Sequence, residues 1–325
     1  MPRYDRNAAV YDWPVPVGEP AREVWYGLAG PADGSAAFWY RYTLLSTEGG
    51  RQEARLWAAL TDTEGNSVFR SRSFPLSDAT LDDAPFAYDL PTGTLTSGRT
   101  QGDLDDVSWD LSYTPDDYAF TPLRSQRLTD FLYRVAGTGK HWSRNEAVRV
   151  SGEVTVGDRT LTFDDVPGHQ GHTLGASPPP TWTWVQCNGF DDPSLSLECL
   201  NLDGTLSMCL RRDGVVHELN RLHHVVGPRA NRNERLEPGH WRFTGTGDGV
   251  QLTAEVVADP DHWQQVAYMT PDDTLRYNAH CSVSEVTLRY RVDGEQKVQA
   301  TSEAGRAEWV DTTKPVSGEY QPAWD

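Results

Sequence analysis

The sequence Thr181-Trp182-Thr183-Trp184-Val185-Gln186-Cys187-Asn188 predicts a β-strand with two different faces. Alternate residues of a strand point to the same side, so two indoles and two amides share one face. An apolar wall followed by a few orienting polar groups is typical of a ligand pocket. The competing interpretation is that the two indoles only pack in a core. The pocket interpretation assigns substrate binding to Trp182, Trp184, Gln186 and Asn188.

The preceding stretch, Gly168-His169-Gln170-Gly171-His172-Thr173-Leu174-Gly175, predicts a glycine-rich loop. Glycine gives the backbone the freedom to aim a neighbouring side chain at a site. We therefore expect His169 and His172 to act as acid or base, with Asp191 or Asp192 as carboxylate partner. A plain turn that happens to contain histidines is the alternative interpretation.

Composition excludes several classes of function. The chain has 325 residues and a net charge of −18, with 12 Trp, 13 Tyr and 9 Phe. Phosphate backbones and anionic membrane surfaces repel such a protein, so we expect no nucleic-acid partner. The many large aromatic residues indicate a folded chain. Its length suits either two domains or one large all-β unit.

No targeting or membrane segment is evident in the sequence. The first ten residues are charged and lack the apolar core of a signal peptide. No apolar run reaches the ~18 residues of a membrane helix. We expect a cytoplasmic protein with no integral membrane association. The four cysteines are far apart and are expected to be small buried thiols.

Hydrophobic residues alternate with polar ones along most of the chain, as in the segments 38–44, 148–156, 206–210, 252–256 and 286–292. Period-two alternation predicts half-buried antiparallel strands. Asp-Gly pairs such as Asp203-Gly204 and Asp213-Gly214 favour the tight turns of hairpins. Only Ser125 to Ala136 is compatible with a helix. The pattern predicts an all-β barrel or sandwich.

A composition break falls at Gly175-Ala176-Ser177-Pro178-Pro179-Pro180, because three prolines cannot lie inside a central strand. We place a domain boundary there, with one β domain at 1–175 and a second at 176–325.

Familiar catalytic motifs are missing. The sequence has no Rossmann fingerprint, no Gly-x-Ser-x-Gly and no His-Glu-x-x-His. His169 and His172 could ligate a metal together with Asp164 or Asp165, but histidines three apart in a loop share no fixed face. We therefore expect neither a metal nor a cofactor.

Three short segments resemble the lipocalin-like family that contains carotenoid 1,2-hydratases and AttH-type proteins. The first is Glu23-Val24-Trp25-Tyr26-Gly27-Leu28, followed by Phe38-Trp39-Tyr40-Arg41-Tyr42. The second is the Gly-x-x-x-His-x-x-Gly loop and Trp-x-Trp strand, and the third is Tyr277-Asn278-Ala279-His280-Cys281-Ser282. Where the hydratases usually show an acidic residue before the loop histidine, this chain has Gly171.

The resemblance implies two calycin-like antiparallel β-barrels packed side by side, with a hydrophobic cavity at or between them. Tocopherol cyclases and lipocalin-like Diels–Alderases are similar in architecture. The family implies a cofactor-free enzyme for a hydrophobic polyene or isoprenoid-like substrate. It adds Trp25, Tyr40 and Tyr277 to the substrate-binding residues.

Two mechanisms and one non-enzymatic function remain open at this stage. An acid could protonate a carbon–carbon double bond, with aromatic faces stabilising the cation. Alternatively the cavity could fold a polyene for cycloaddition without moving a proton. A carrier for a lipophilic molecule would need no histidine near the cavity. The sequence makes no prediction of the oligomeric state.

Overall fold

The computed structural model describes residues 6–64, 66–136 and 139–323, and the fold is all-β, as predicted. The first half contains β1 (Ala21–Ala29), β2 (Ala36–Ser46), β3 (Gln52–Asp62), β4 (Ser67–Phe74), β5 (Thr80–Asp83), β6 (Phe86–Leu90), β7 (Gly93–Thr96), β8 (Arg99–Leu104), β9 (Val107–Tyr113), β10 (Lys140–Val156) and β11 (Arg159–Leu174). Helix α1 (Gln126–Ala136) lies between β9 and β10, where the sequence allowed a helix.

The second half is built in the same way. It contains β12 (Trp182–Cys187), β13 (Leu195–Leu202), β14 (Thr205–Arg212), β15 (Val215–Leu219), β16 (Arg232–Glu237), β17 (His240–Gly247), β18 (Val250–Val257), β19 (Gln264–Met269), β20 (Leu275–Val292), β21 (Val298–Asp311) and β22 (Gln321–Pro322). A short helix, α2 (Leu222–Val225), follows β15, and 3₁₀ turns cover Leu76–Asp78 and Pro260–His262.

Within the described residues these strands form two sheets of eleven strands each. The first has the order β4-β3-β2-β1-β11-β10-β9-β8-β7-β6-β5. The second has β15-β14-β13-β12-β21-β20-β18-β17-β16, with β19 beside β20 and β22 beside β19. Among the strand pairs of the described residues, β19 with β22 is the one parallel pair, and the others are antiparallel. The two sheets belong to residues 21–174 and 182–322.

Each sheet curls around its own hydrophobic core. The first core includes Trp25, Phe38, Tyr42, Tyr88 and Trp109, drawn from distant strands of the first sheet. The second core is the equivalent cluster of the second sheet, which includes Leu197, Met208, Trp241, Phe243 and Leu288. A third core lies between the sheets and includes Trp39, Trp57, Trp184, Leu200 and Tyr268.

Short turns link many of the strands. Asp203, Asp213 and Asp248 all have positive φ, and each is followed by a glycine that also has positive φ. Two consecutive positive φ values give the turn that matches the twist of a hairpin, as the Asp-Gly pairs predicted. The four cysteines are free and buried, which confirms the prediction of buried thiols.

A buried arginine ties the two sheets together. Arg306 of β21 donates to Gln186 Oε1 (2.9 Å), Asn188 Oδ1 (2.6 Å) and the carbonyl of Pro167 (3.0 Å). The same amides also reach the first sheet, because Gln186 Nε2 donates to the Glu146 carbonyl at 2.9 Å and Asn188 Nδ2 to the Gly168 carbonyl at 2.8 Å. This arginine clamp fixes the relative position of the sheets.

We find no helix in the described ranges that is both long enough and apolar enough to cross a membrane.

Candidate functional site

A cavity of about 790 Å³ lies between the two sheets. We call it the intersheet cavity. Its volume falls in the range of small-molecule sites, and its walls are mostly apolar. The apolar part of its lining includes Val24, Leu28, Trp39, Pro178, Pro179, Pro180, Trp182, Trp184, Leu200 and Leu202.

Strand alternation explains how the wall is formed. Arg22, Val24, Tyr26 and Leu28 of β1 face the cavity, whereas the intervening Trp25 lies in the first core. Successive side chains of a strand point to opposite faces, so one strand serves both a core and the cavity. Helix α1 adds Leu128 and Leu132, and the region of α2 adds Leu222 and Val226, which are 58% and 60% exposed. The exposed pair indicates that the cavity opens to solvent beside the helices.

The first histidine–carboxylate pair of the cavity is His141 with Glu198. His141 Nε2 lies 3.7 Å from Glu198 Oε1 and 3.2 Å from Ser143 Oγ. Ser143 Oγ donates to the same carboxylate oxygen over 2.5 Å, and Trp184 Nε1 donates to it over 2.8 Å. Burial acts to raise the pKa of Glu198, but hydrogen bonding by His141 and the nearby imidazoles of His169 and His141 lower it overall.

A second buried carboxylate lies behind this pair. One oxygen each of Glu146 and Glu198, together with Cys209 Sγ, lie within 4.8 Å of one another. Burial and the charge of Glu198 raise the pKa of Glu146 to about 8, against the opposing effect of Arg211. Glu146 is therefore protonated at neutral pH, which removes the charge repulsion between the two carboxyl groups. These ligand types could also hold a metal ion.

The second pair is His280 with Glu308. His280 Nδ1 lies 3.7 Å from Glu308 Oε2, and its Nε2 lies 2.8 Å from Ser282 Oγ. The imidazole stacks on the indole of Trp39 with ring centroids 4.7 Å apart. Glu308 accepts from Trp182 Nε1 over 2.7 Å. A titratable imidazole and an aromatic face thus meet at one wall of the cavity.

Two of the residues predicted for substrate binding, Trp182 and Trp184, line the intersheet cavity. Trp184 uses its ring N–H to hold the fully buried Glu198, and Trp182 uses its ring N–H to hold the half-buried Glu308. The remaining predicted residues lie elsewhere. Gln186 and Asn188 belong to the arginine clamp. Trp25 and Tyr40 lie in the first core, and Tyr277 packs against Tyr320 with centroids 5.3 Å apart.

The prediction of a glycine-rich loop at 168–175 was wrong, because β11 runs through this segment to Leu174. Gly171 pairs with Tyr26 across the two strands, and a Cβ at Gly171 would lie 2.5 Å from the Tyr26 ring. The glycine is needed for close packing in a sheet rather than for a turn. A strand also sends His169 and His172 to opposite faces.

His172 is fully buried beneath the N-terminal segment. Its Nδ1 lies 2.8 Å from the Arg6 carbonyl, and its Nε2 lies 2.9 Å from Glu23 Oε1. It stacks on Trp25 at 4.7 Å, and Glu23 also accepts from Trp13 Nε1 at 2.8 Å. Both ring nitrogens are therefore engaged within the protein, away from the intersheet cavity.

The other two predicted catalytic residues are also outside the cavity lining. His169 Nδ1 lies 3.0 Å from the Glu146 carbonyl, and the ring lies behind Trp184 with centroids 5.2 Å apart. Burial lowers the pKa of His169 to about 4, so the imidazole is neutral at neutral pH. Asp191 is exposed and accepts from the Thr301 N–H over 3.0 Å.

His141, Glu198 and Glu308 were not predicted from the sequence. A signal was available for Glu198, since it lies between Leu197 and Cys199 in a strand that is otherwise nearly apolar. It is paired directly with Gln186 in the sheet, so it shares a face with the predicted indoles. His280 was quoted with the C-terminal segment, but no role was assigned to it.

No protein-family model matches the sequence, and no curated protein matches it significantly. Solved structures do share the fold. CghA in complex with Sch210972 superposes with a TM-score of 0.63 at 13% identity, over 92% of this chain and 90% of that one. An AttH-like protein of Nitrosomonas europaea gives a TM-score of 0.55 at 14% identity, covering 94% and 98%.

Kievitone hydratase of Nectria haematococca is a further structural match. Its TM-score is 0.52 at 12% identity, and the superposition covers 96% of this chain and 99% of that one. At these identities the comparison establishes the fold, and function has to be argued from the site. The expected architecture of two lipocalin-like β units is confirmed by these superpositions.

Proposed function

We propose that this protein is an enzyme that binds a hydrophobic polyene or isoprenoid-like molecule in the intersheet cavity and promotes hydration or cyclisation of a carbon–carbon double bond. The observation that carries the proposal is the presence of two imidazoles in a mostly apolar wall, each 3.7 Å from a carboxylate oxygen. The name of one structural match, kievitone hydratase, is consistent with this class of reaction.

In the proposed reaction, protonated His141 donates a proton to one alkene carbon. The new C–H bond uses the π electrons and leaves a cation on the neighbouring carbon. The indole faces of Trp182 and Trp184 stabilise that cation through the ring quadrupole. Glu198 keeps the imidazole oriented and stabilises its charged form.

Water or a hydroxyl of the substrate then attacks the cation and forms a C–O bond. We assign His280 as the base that accepts the proton released in this step, with Glu308 stabilising the imidazolium. One proton is added and one is removed, so the reaction needs no net oxidation or reduction and no redox cofactor.

Cycloaddition is the second candidate reaction, and the mostly apolar lining of the cavity favours it. The walls could hold a polyene in a folded conformer by apolar contact alone, which lowers the entropic cost of the reaction. Both reactions use the indole wall, but only hydration or cyclisation needs the imidazoles. The carrier alternative needs neither.

The experiment begins with mass spectrometry of small molecules retained on the purified protein. These molecules, together with farnesol, geranylgeraniol and squalene, are then incubated with wild type, His141→Ala and His280→Ala. His217→Ala is the control, because this buried histidine lies outside the cavity lining and contacts the Asp248 carbonyl. We expect either cavity substitution to lower turnover by about 10²-fold or more with ligand binding retained.

Turnover that persists in both histidine variants but is lost on Trp184→Ala would favour cycloaddition. A retained lipid that never changes chemically on incubation would favour a carrier and contradict the proposed enzyme.

A further inference from the structure

Two arginines line the intersheet cavity without a charged partner. Arg22 of β1 and Arg41 of β2 are each only 7% exposed. Within the described part of the chain, neither forms an ion pair with a carboxylate, and Arg22 Nε has no hydrogen-bond partner. A buried charge is normally paired, because removing it from water is costly. Without a ligand, the desolvation of these two charges therefore lowers the stability of the folded protein, with no ion pair to offset it.

The guanidinium of Arg41 is held by aromatic rings and by the hydroxyl groups of Thr43 and Tyr268 rather than by a carboxylate. Its guanidinium carbon lies 4.3 Å from the Trp57 ring centroid and 4.9 Å from that of Tyr268, so aromatic rings cover it. Its Nε donates to Thr43 Oγ1 over 3.1 Å. Burial lowers the pKa of Arg41 to about 10, so the group remains charged at neutral pH. Stacking of this kind orients an arginine for a planar anion.

The carboxylates near these arginines are already used. Glu308 contributes an attractive charge to Arg41, but its oxygens accept from Trp182 Nε1 and, over 2.8 Å, from Asn278 Nδ2. Asp203 lies in an exposed turn at the rim. Lys140, the remaining cation of the lining, is paired with Asp130 at 2.8 Å. The wall thus has an excess of positive charge although the whole chain is strongly negative.

We infer that the ligand of the intersheet cavity is an amphipathic anion, whose carboxylate binds to Arg22 and Arg41 while its apolar part lies against the indole wall. The inference rests on the proposed binding site and narrows its substrate class from any hydrophobic polyene or isoprenoid-like molecule to a hydrophobic acid. Charge-assisted hydrogen bonds to a buried anion supply the affinity that a neutral analogue would lack.

The test uses a pair of polyenes that differ only in the end group, all-trans-retinoic acid and all-trans-retinol. Binding is followed by quenching of tryptophan fluorescence, since three indoles line the cavity. We expect wild type to bind the acid at least ~10-fold more tightly than the alcohol, and Arg22→Met and Arg41→Met each to remove most of that preference. Arg276→Met is the control, because this arginine is also buried (5% exposed) but is not part of the lining.

If neither polyene binds, thermal unfolding of the arginine variants tests the inference. Buried arginines that bind a ligand destabilise the protein when the ligand is absent. Arg22→Met and Arg41→Met should therefore leave the thermal midpoint of unfolding unchanged or raise it. A clear drop in both midpoints would make these arginines structural and overturn the inference. Equal affinity of wild type for acid and alcohol would overturn it as well.

Failure of this inference is distinguishable from failure of the proposed function. Preferential binding of the acid without any turnover supports the anion site and contradicts the enzyme. Turnover of a neutral polyene at full rate in Arg22→Met and Arg41→Met supports the enzyme and contradicts the anion site.

Discussion

Trp184 Nε1 lies 2.8 Å from Glu198 Oε1, so the indole that forms the cavity wall also holds a buried carboxylate. The side chain of Glu198 is fully buried. Trp182 has the same relationship with Glu308 at 2.7 Å. The two tryptophans therefore combine an apolar surface with the placement of both carboxylates.

Trp184→Phe should remove this hydrogen bond while keeping an aromatic ring in the wall. We expect the free energy of unfolding to fall by about 1.5–3 kcal/mol beyond the effect of the smaller ring, because a buried ionised carboxylate loses one of its hydrogen-bond donors. Trp57→Phe is the matched control, since the buried Trp57 Nε1 has no hydrogen-bond partner. Urea denaturation of both variants measures the difference, and equal losses would contradict the assigned hydrogen bond.

Gly171→Ala should displace Tyr26 from the wall of the cavity. The added Cβ would lie 2.5 Å from the Tyr26 ring, so the ring has to move. Overpacking of this kind costs about 1–3 kcal/mol of stability. Tyr26→Ala relieves the clash, so Gly171→Ala should cost much less in that background. Additive losses in the double variant, measured by urea denaturation, would contradict the packing argument.

Glu146→Gln should change how stability depends on pH. The pKa of Glu146 is raised from 4.5 to about 8 in the folded protein, so the folded state keeps a proton that the unfolded chain releases. Stability from this group is complete below the ordinary pKa and is lost as pH rises towards about 8, by at most about 1.4 kcal/mol per pH unit. His169, with its pKa near 4, acts in the opposite direction but only below about 6.5.

The diagnostic window for Glu146 is therefore pH 6.5 to 8. We expect the wild-type free energy of unfolding to decline across it and Glu146→Gln to flatten the decline. Glu153→Gln, an exposed substitution on the same strand, is the control and should leave the slope unchanged. Identical slopes in all three proteins would show that Glu146 is ionised in the folded state.

His172→Ala should destabilise the fold and release the N-terminal segment. Glu23 and His172 are both fully buried, so loss of the imidazole removes one of the hydrogen bonds to the Glu23 carboxylate at a cost of about 1–3 kcal/mol. Limited proteolysis should then cut within residues 6–13, which lie over this pair. In a Glu23→Gln background the same substitution should cost much less. A stable variant that loses only activity would instead assign a catalytic function to His172.

Local patterning was sufficient to predict the strands and turns. Alternation in segments such as 148–156 predicts one buried face, and Asp-Gly pairs predict the tight turns, because both depend on neighbours in the chain. The helix beginning near Ser125 was found in the same way. Pairing of β1 with β11 depends on contacts about 140 residues apart, and the alternation of either strand carries no information about it.

The candidate site was only partly predictable for the same reason. Trp182 and Trp184 lie on one face of their strand, as predicted. Further along the same strand, however, that face contributes to the arginine clamp rather than to the cavity. Gln186 lies opposite Arg306, which comes 120 positions later in the chain. The buried guanidinium of Arg306 donates a hydrogen bond to the Gln186 amide, so that amide is not available to a ligand. The glycines at 168 and 171 suggested a loop. Both are needed for close packing between strands, but the sequence does not distinguish a glycine required for packing from one required for a turn.

The arginine clamp has a consequence for how such a protein can diversify. Its guanidinium comes from β21 and three of its acceptors come from residues 167, 186 and 188, so both sheets must be compatible at one buried point. Consider a chimera that joins the first sheet of one homologue to the second sheet of another. It would leave buried hydrogen-bonding groups without partners unless both parents have the clamp arginine and its acceptors. We therefore expect recombination at the proline-rich junction to be disfavoured and new specificities to arise by point replacement around the intersheet cavity.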